Sequence, residues 1–294
     1  MQLGRIGVWT WLDAFSSEDA ARFAAQVEGW GYGALWIPEA VGREPFSLIG
    51  YLAARTQRLV LATGIANIYA RDPVTMRATR ETLAEASQGR FLMGLGVSHA
   101  PMVAGMRKHE YGKPVATMRA YLEAIDAAIY MGPKPKQPAP IVLAALRPKM
   151  LELAAQKSAG AHPYFVTPEH TARARKILGP GKLLCPEQKV LLETDAAKAR
   201  AIARANMKIY LGLPNYQNNL KWLGYTDADI ADGGSDRLVD AIVAWGDEKQ
   251  IRDRIQSHLD AGADHVCIQP FRADGQPGPD AKLLERLAPG RRAS

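Results

Sequence analysis

The sequence predicts a closed (β/α)8 barrel, an α/β fold, and three observations carry that prediction. Short apolar runs alternate with helical patterns from one end of the 294 residues to the other. Each run is continuously apolar, as parallel strands buried on both faces should be. Eight strand–helix units also fit the length, because such barrels take ~250 residues and leave ~40 for insertions. An open doubly wound sheet is the runner-up.

The elements follow in order. The first strand covers 6–10, and a helix over 18–30 has Ser16 or Ser17 as N-cap and Gly31 as its stop. The second strand is 34–37, with a helical stretch near 46–55, and the third is 59–62. Pro73 opens a helix to about Ser87, closed by Gly89. Strand four, 91–97, is followed by a polar loop and a helix over 115–130. Strand five is 141–145, with a helix over 148–157. Strand six is Tyr164-Phe165-Val166, with Thr167 capping a helix over 168–178. Strand seven is 189–192, followed by a helix over 196–210. A helical stretch at 248–261 leads to strand eight, 265–269. The remaining residues, 102–114 and 213–245, are rich in Gly, Asn and Asp and read as loops over the barrel mouth. No linker or low-complexity tract divides the chain, so a single domain over 1–294 is expected.

Composition narrows the classes of function. The chain is 47% apolar and 23% charged, as an ordinary globular protein is, and carries a formal net charge of +7. No Lys/Arg block of binding-tail length occurs, so no nucleic-acid partner is expected. No run reaches the ~18 apolar residues of a membrane span, and no signal-peptide pattern opens the chain. The two cysteines, Cys185 and Cys267, suit a reducing compartment, so a cytoplasmic location is expected.

In such a barrel the chemistry sits at the C-terminal ends of the strands. The residues expected there are Trp9-Thr10-Trp11, Pro38-Glu39-Ala40, 64–72, Ser98-His99, 145–149, 162–164 and Gln269-Pro270. They contain no HExxH, GxSxG or Walker pattern, and no His/carboxylate cluster at metal spacing. The mouth is apolar, aromatic and hydroxyl-bearing, which suits a flat ring that performs its own chemistry. The GxG at Gly94 and Gly96 lacks the third glycine of a dinucleotide fingerprint. Arg147-Pro148-Lys149 opens a helix with two cations beside free backbone N–H groups, an anion site by its chemistry. The plainer reading is a helix start with two solvated cations. Trp9 and Trp11 are better ring contacts than Trp36, and His162 with Tyr164 approaches the mouth. His258 and His265 read as structural, and His109 as solvated. No lysine is expected at the end of a strand core, which sets aside a Schiff-base barrel.

Four motifs now stand in register: LWIPEA at 35–40, TGIANIYARDP at 63–73, SQGRFLMGLGVSH at 87–99 and LRPKMLELA at 146–154. On these the chain resembles the luciferase-like monooxygenase superfamily over nearly its whole length, and within it the branch dependent on the deazaflavin coenzyme F420. The resemblance implies a bulge in strand three, with a non-proline cis peptide at Gly64–Ile65 and with Ala66 and Asn67 beside it, backing the central ring. It further implies a ring site reaching Trp9, Glu39, Gly96, Val97 and Ser98, and a phosphate on the loop of Ala145, Leu146, Arg147, Pro148 and Lys149. Relatives usually have glycine where Arg147 stands. Sugar-phosphate dehydrogenases of the family carry a carboxylic acid where His99 stands and a histidine where Ala40 follows Glu39. Their reaction is therefore not expected here, and His99 and Glu39 become the candidate catalytic groups.

The expected function is hydride transfer between reduced F420 and a small-molecule substrate. The alternatives are an FMN-dependent monooxygenase that activates O2 and a non-catalytic flavin-binding barrel. Arg107, Lys108 and Lys113 in one loop, with Lys134, Lys136, Arg147 and Lys149 around another, are expected to rim the mouth. Such a rim suits a phosphate with an acidic tail. A homodimer is expected from the resemblance.

Overall fold

A computed structural model of the protein describes residues 1–276 and 278–289. Its strands are β1 (Ile6–Trp9), β2 (Ala34–Ile37), β3 (Val60–Thr63), β4 (Ala66–Asn67), β5 (Phe91–Gly96), β6 (Ile141–Leu143), β7 (Gly160–Ala161), β8 (Leu183–Leu184), β9 (Glu187–Leu192), β10 (Val243–Gly246) and β11 (Val266–Phe271). The principal helices are α1 (Ser17–Gly29), α2 (Pro45–Ala53), α3 (Pro73–Ala86), α4 (Pro114–Ala127), α5 (Pro148–Lys157), α6 (Pro168–Leu178) and α7 (Ala196–Leu211). They continue with α8 (Pro214–Leu223), α9 (Asp227–Ile230), α10 (Asp236–Ile242), α11 (Glu248–Asp260) and α12 (Ala281–Arg286). No described helix is long and apolar enough to cross a membrane.

Every strand pair is parallel, and the hydrogen bonds close the ring. β3 and β4 are two halves of one strand, interrupted at Gly64–Ile65. β8 and β9 are likewise one strand with Pro186 at the break. The amides of Leu183, Cys185 and Glu187 donate to Ala159, Ala161 and Pro163 on one side. The carbonyls of Leu184 and Pro186 accept from Asp264, His265 and Cys267 on the other. β7 and β11 thus flank the same strand, and the barrel has the expected eight staves, with β11 returning to β1.

Alternation along the staves separates two cores. Val8, Leu35, Ile37, Leu61, Phe91, Met93, Leu143 and Ile268 face the helices. Trp9, Ala34, Trp36, Val60, Ala62, Leu92, Val142, Cys185 and Cys267 fill the barrel. Helix starts obey the capping rules: Ser16, Asp72 and Thr167 cap α1, α3 and α6 with side-chain oxygens. Glu44, Asp195 and Asp247 do the same for α2, α7 and α11.

Four sequence expectations are corrected. Strand six is Gly160–Ala161, not 164–166, where Phe165 has φ +61°. A side chain at Gly160 would run into the Leu183 backbone, so this stave has to be side-chain-poor and leaves little apolar signal. The 213–245 stretch is not a loop: it forms α8, α9 and α10 and leads into β10, which pairs with β9. The 102–114 stretch begins inside a π-helical turn at Pro101–Met106. Finally, Lys134 and Lys136 precede β6, so they lie at the N-terminal end of the barrel, opposite the mouth. The rim of cations at the mouth is correspondingly smaller.

Candidate active site

The bulge at 64–67 is built by its neighbours. Gly94 and Gly96 lie beneath it on β5, and a Cβ on Gly96 would come within 2.5 Å of Ile65 Cδ1. Only glycine there lets Ile65 lie flat across the strand. The Gly64–Ile65 peptide is cis, as the sequence motif implied. Trp9 donates its indole N–H to the Gly64 carbonyl at 2.7 Å. From the other side Glu39 accepts the Asn67 amide at 2.7 Å and pairs with Arg71 at 2.8 Å, while Arg71 also bonds Glu44. Both oxygens of Glu39 are therefore engaged in bracing the bulge. Asn67 closes its own turn by accepting the Tyr69 amide at 2.9 Å.

His162 is buried against this floor, its ring stacked on Trp36 with centroids 4.4 Å apart. Its Nδ1–H donates to the Cys185 carbonyl at 2.7 Å, leaving Nε2 an acceptor with no partner among the described residues. A Cβ on Gly64 would lie 3.1 Å from that nitrogen, so it faces the bulge. Burial holds this imidazole neutral, pushing its pKa down to about 4.

The other sequence-chosen residues are spread around the same mouth. Val97, Ser98 (φ +56°) and His99 follow β5. His99 faces the Tyr216 ring at 5.4 Å, and burial lowers its pKa. Ala145, Leu146 and Arg147 follow β6 and lead into α5. No side chain caps that helix, and Arg147 and Lys149 are exposed at its start. Arg107 instead donates to the Ala40 carbonyl at 3.2 Å. His258 joins Thr171 to Gln188, and His265 joins Trp36 to the Gly4 carbonyl, both within the packing.

The sequence reading missed the charged centre of the barrel. Lys189, on β9, is completely buried and donates to Gln269 Oε1 (2.7 Å), Tyr164 Oη (2.8 Å) and Glu187 Oε1 (3.2 Å). The sequence reading considered lysine at the ends of strand cores alone, whereas Lys189 lies inside β9. Glu187 also accepts the Phe165 amide at 3.0 Å. Burial pushes Glu187 up and Lys189 down to about 8, with their mutual attraction opposing both shifts. The i, i+2 spacing of Glu187 and Lys189 was the available signal, since it sets both side chains on one face of a strand. Tyr164, Tyr210 and Tyr216 pack around them. Tyr210 and Gln269, with Thr10 and Trp11, line a cavity of about 420 Å³. No group of three or more potential metal ligands occurs among the described residues.

The family model for luciferase-like monooxygenase matches residues 2–265. A Mycobacterium tuberculosis protein provisionally named coenzyme F420-dependent oxidoreductase is 24% identical, covering 93% of this chain and 96% of its own. An F420-dependent secondary alcohol dehydrogenase, solved with an F420–acetone adduct, superposes with a TM-score of 0.74 at 14% identity, covering 98% and 99% of the two chains. The oxygenating constituent of 3,6-diketocamphane monooxygenase from Pseudomonas putida, solved with FMN, gives 0.70 at 14% identity and 97% of each chain.

Proposed function

Because this chain belongs to the luciferase-like monooxygenase family, whose members matched here are F420- or FMN-dependent oxidoreductases and monooxygenases, we propose that it moves a hydride between reduced coenzyme F420 and a small organic substrate. The observation that carries this reading is the floor of the mouth. The bulge at 64–67 lies clamped over Gly94 and Gly96, two staves away from a helix start that presents two exposed cations and no capping side chain. A flat ring bearing a phosphate chain fits both features, and the unpartnered Nε2 of His162 adds an acceptor beneath the bulge.

When bound, the deazaflavin supplies the hydride. The rest falls to the protein. Trp9 and Glu39 hold the bulge and so fix the plane of the platform, which makes Glu39 a positioning residue. Arg147, Lys149 and the free amides of the first turn of α5 hold the phosphate. His99, kept neutral by burial, holds a proton at the mouth. Sequence similarity over nearly the full length supports F420 over FMN, since the likeness to the FMN enzyme is one of fold alone. Both cysteines are buried free thiols, in keeping with a reducing, cytoplasmic setting, and a homodimer is the expected assembly.

Anaerobic titration of the apoprotein with each cofactor tests the reading. Micromolar F420 binding with weaker FMN binding is expected. Tight FMN binding without F420 binding would overturn it, and a bound reduced F420 that no substrate panel oxidises would favour a non-catalytic barrel.

A further inference from the structure

Burying an ammonium costs several kcal/mol before its partners repay it, so Lys189 at the centre of the barrel calls for a role. Its hydrogen bonds form a chain with a direction. Lys189 donates to Tyr164 Oη at 2.8 Å, and Tyr164 Oη lies 2.7 Å from Tyr210 Oη. Tyr210 and Gln269 form part of the wall of the 420 Å³ cavity. Trp11, Ile202, Pro270 and Phe271 give the wall an apolar part, Thr10, Asn206 and Gln276 add uncharged polar groups, and the one cation of the lining among the described residues, Arg272, is paired with Asp274. Trp9 joins this cavity to the bulge: its ring lies 4.9 Å from Tyr164 and 5.4 Å from Trp11, while its N–H holds Gly64.

We propose that this cavity takes a neutral carbonyl compound with an apolar body, and that Tyr210 gives a proton to its oxygen through a Lys189–Tyr164–Tyr210 relay. The inference rests on the oxidoreductase reading above and names its substrate class and proton donor.

The hydrogen positions permit it. Tyr164 has one hydroxyl hydrogen and two acceptors in reach, Gln269 Oε1 at 2.9 Å and Tyr210 Oη. When it donates to Tyr210, the Tyr210 hydrogen is free for the cavity. Lys189 then fills the acceptor side of Tyr164 and holds the Gln269 oxygen at 2.7 Å, so the Gln269 amide N–H groups turn to the same ligand. The step balances. The carbonyl carbon takes a hydride from the reduced deazaflavin or flavin, the C=O π bond breaks, and the oxygen takes the proton of Tyr210. Tyr210 takes that of Tyr164, and Tyr164 that of Lys189. The carbonyl is reduced to an alcohol, the cofactor is oxidised, and once product has left, a proton from solvent in the cavity passes back through Tyr210 and Tyr164 to the Lys189 amine. The groups facing the chain are Glu187 on β9, Cys267 on β11, Tyr210 on α7 and Tyr216 on α8. Burial leaves Lys189 at about 8 and Tyr210 at about 12, so the relay is loaded at neutral pH.

Cyclohexanone serves as the probe, with no cofactor present. The infrared carbonyl band of the bound ketone is expected at lower frequency in the wild-type protein than in Tyr210→Phe, which keeps the ring contacts to Phe165 and Tyr216. Tyr164→Phe, which cuts Tyr210 off from Lys189, should give an intermediate band that no longer responds to pH near 8. An identical band in wild type and Tyr210→Phe overturns the proposal. So does a band that stays at its free position in saturating ketone. With reduced F420 added, Tyr210→Phe should slow turnover about 100-fold or more at unchanged cofactor affinity. A protein that binds FMN instead of F420 defeats the cofactor assignment and leaves the ketone result standing.

Discussion

Glu187→Gln tests how the barrel tolerates its buried lysine. The substitution keeps the shape and one acceptor oxygen, and removes the charge that faces Lys189 at 3.2 Å. Breaking a buried ion pair ordinarily costs about 3–5 kcal/mol, because the remaining charge is stranded. Here the lysine has an escape, since burial already brings its pKa down to about 8. Releasing the proton costs the variant, relative to wild type, about 1.4 kcal/mol for each pH unit below that value. The cheaper route wins. The loss of stability should be about 1 kcal/mol at pH 7, about 3 kcal/mol at pH 6, and close to zero at pH 8.5. The sign follows from proton counting: below pH 8 the folded wild type binds one proton more than the folded variant, so acid favours the wild type. Urea unfolding of both proteins at the three pH values measures the gap. A gap that does not change with pH, or one of about 3 kcal/mol or more at pH 8.5, would refute a titrating Lys189.

Two further outcomes concern the platform. Gly96→Ala places a Cβ 2.5 Å from Ile65 Cδ1 and 3.2 Å from the Ala144 Cβ, so it should destabilise the fold by about 1–3 kcal/mol and weaken cofactor binding at least ~10-fold; equilibrium unfolding and titration read both effects. The double reversal Arg147→Glu/Lys149→Glu should weaken cofactor binding at least ~10-fold and remove its salt dependence, with the melting temperature hardly moved. Unchanged affinity would return Pro148 to the plain role of starting a helix.

The sequence showed the barrel well where strands are made of large apolar side chains. β1, β2, β3, β5 and β6 fall close to the runs read from hydropathy, and α5 and α6 match at both ends. β7 was invisible because the close passage of Leu183 demands a glycine, so its two residues carry no hydropathy pattern. The helices at 214–242 were hidden by a polar composition, although Tyr216, Leu220 and Leu223 stand at helical spacing on the buried face of α8. Around the site, the motifs led to the bulge and the start of α5. The pairing of Glu39 with Arg71 changed what Glu39 does, which depends on a contact 32 residues away. Lys189 opened strand seven in the sequence reading and was given no role, because hydropathy alone scores a buried cation as solvent-facing.

The stave formed by β8 and β9 serves two neighbours along one edge. Near Leu183 that edge bonds to β7 and completes the ring; beyond Gln188 it bonds to β10, which arrives from the 213–245 insertion. Arg200 and Arg204 on α7 add ion pairs to Asp236 and Asp240 of the same insertion. The insertion is therefore part of the sheet and not a cover laid over it. Removing it would expose the backbone of Lys189 to Leu192 as an open edge, the kind of surface on which chains pair with one another and aggregate. The wall of the cavity that Tyr210 contributes is tied to the same segment. A change in the shape of this wall would come from side-chain replacement along α7, which supplies Ile202, Ala205, Asn206 and Tyr210, since trading the whole insertion would unzip the barrel's own edge.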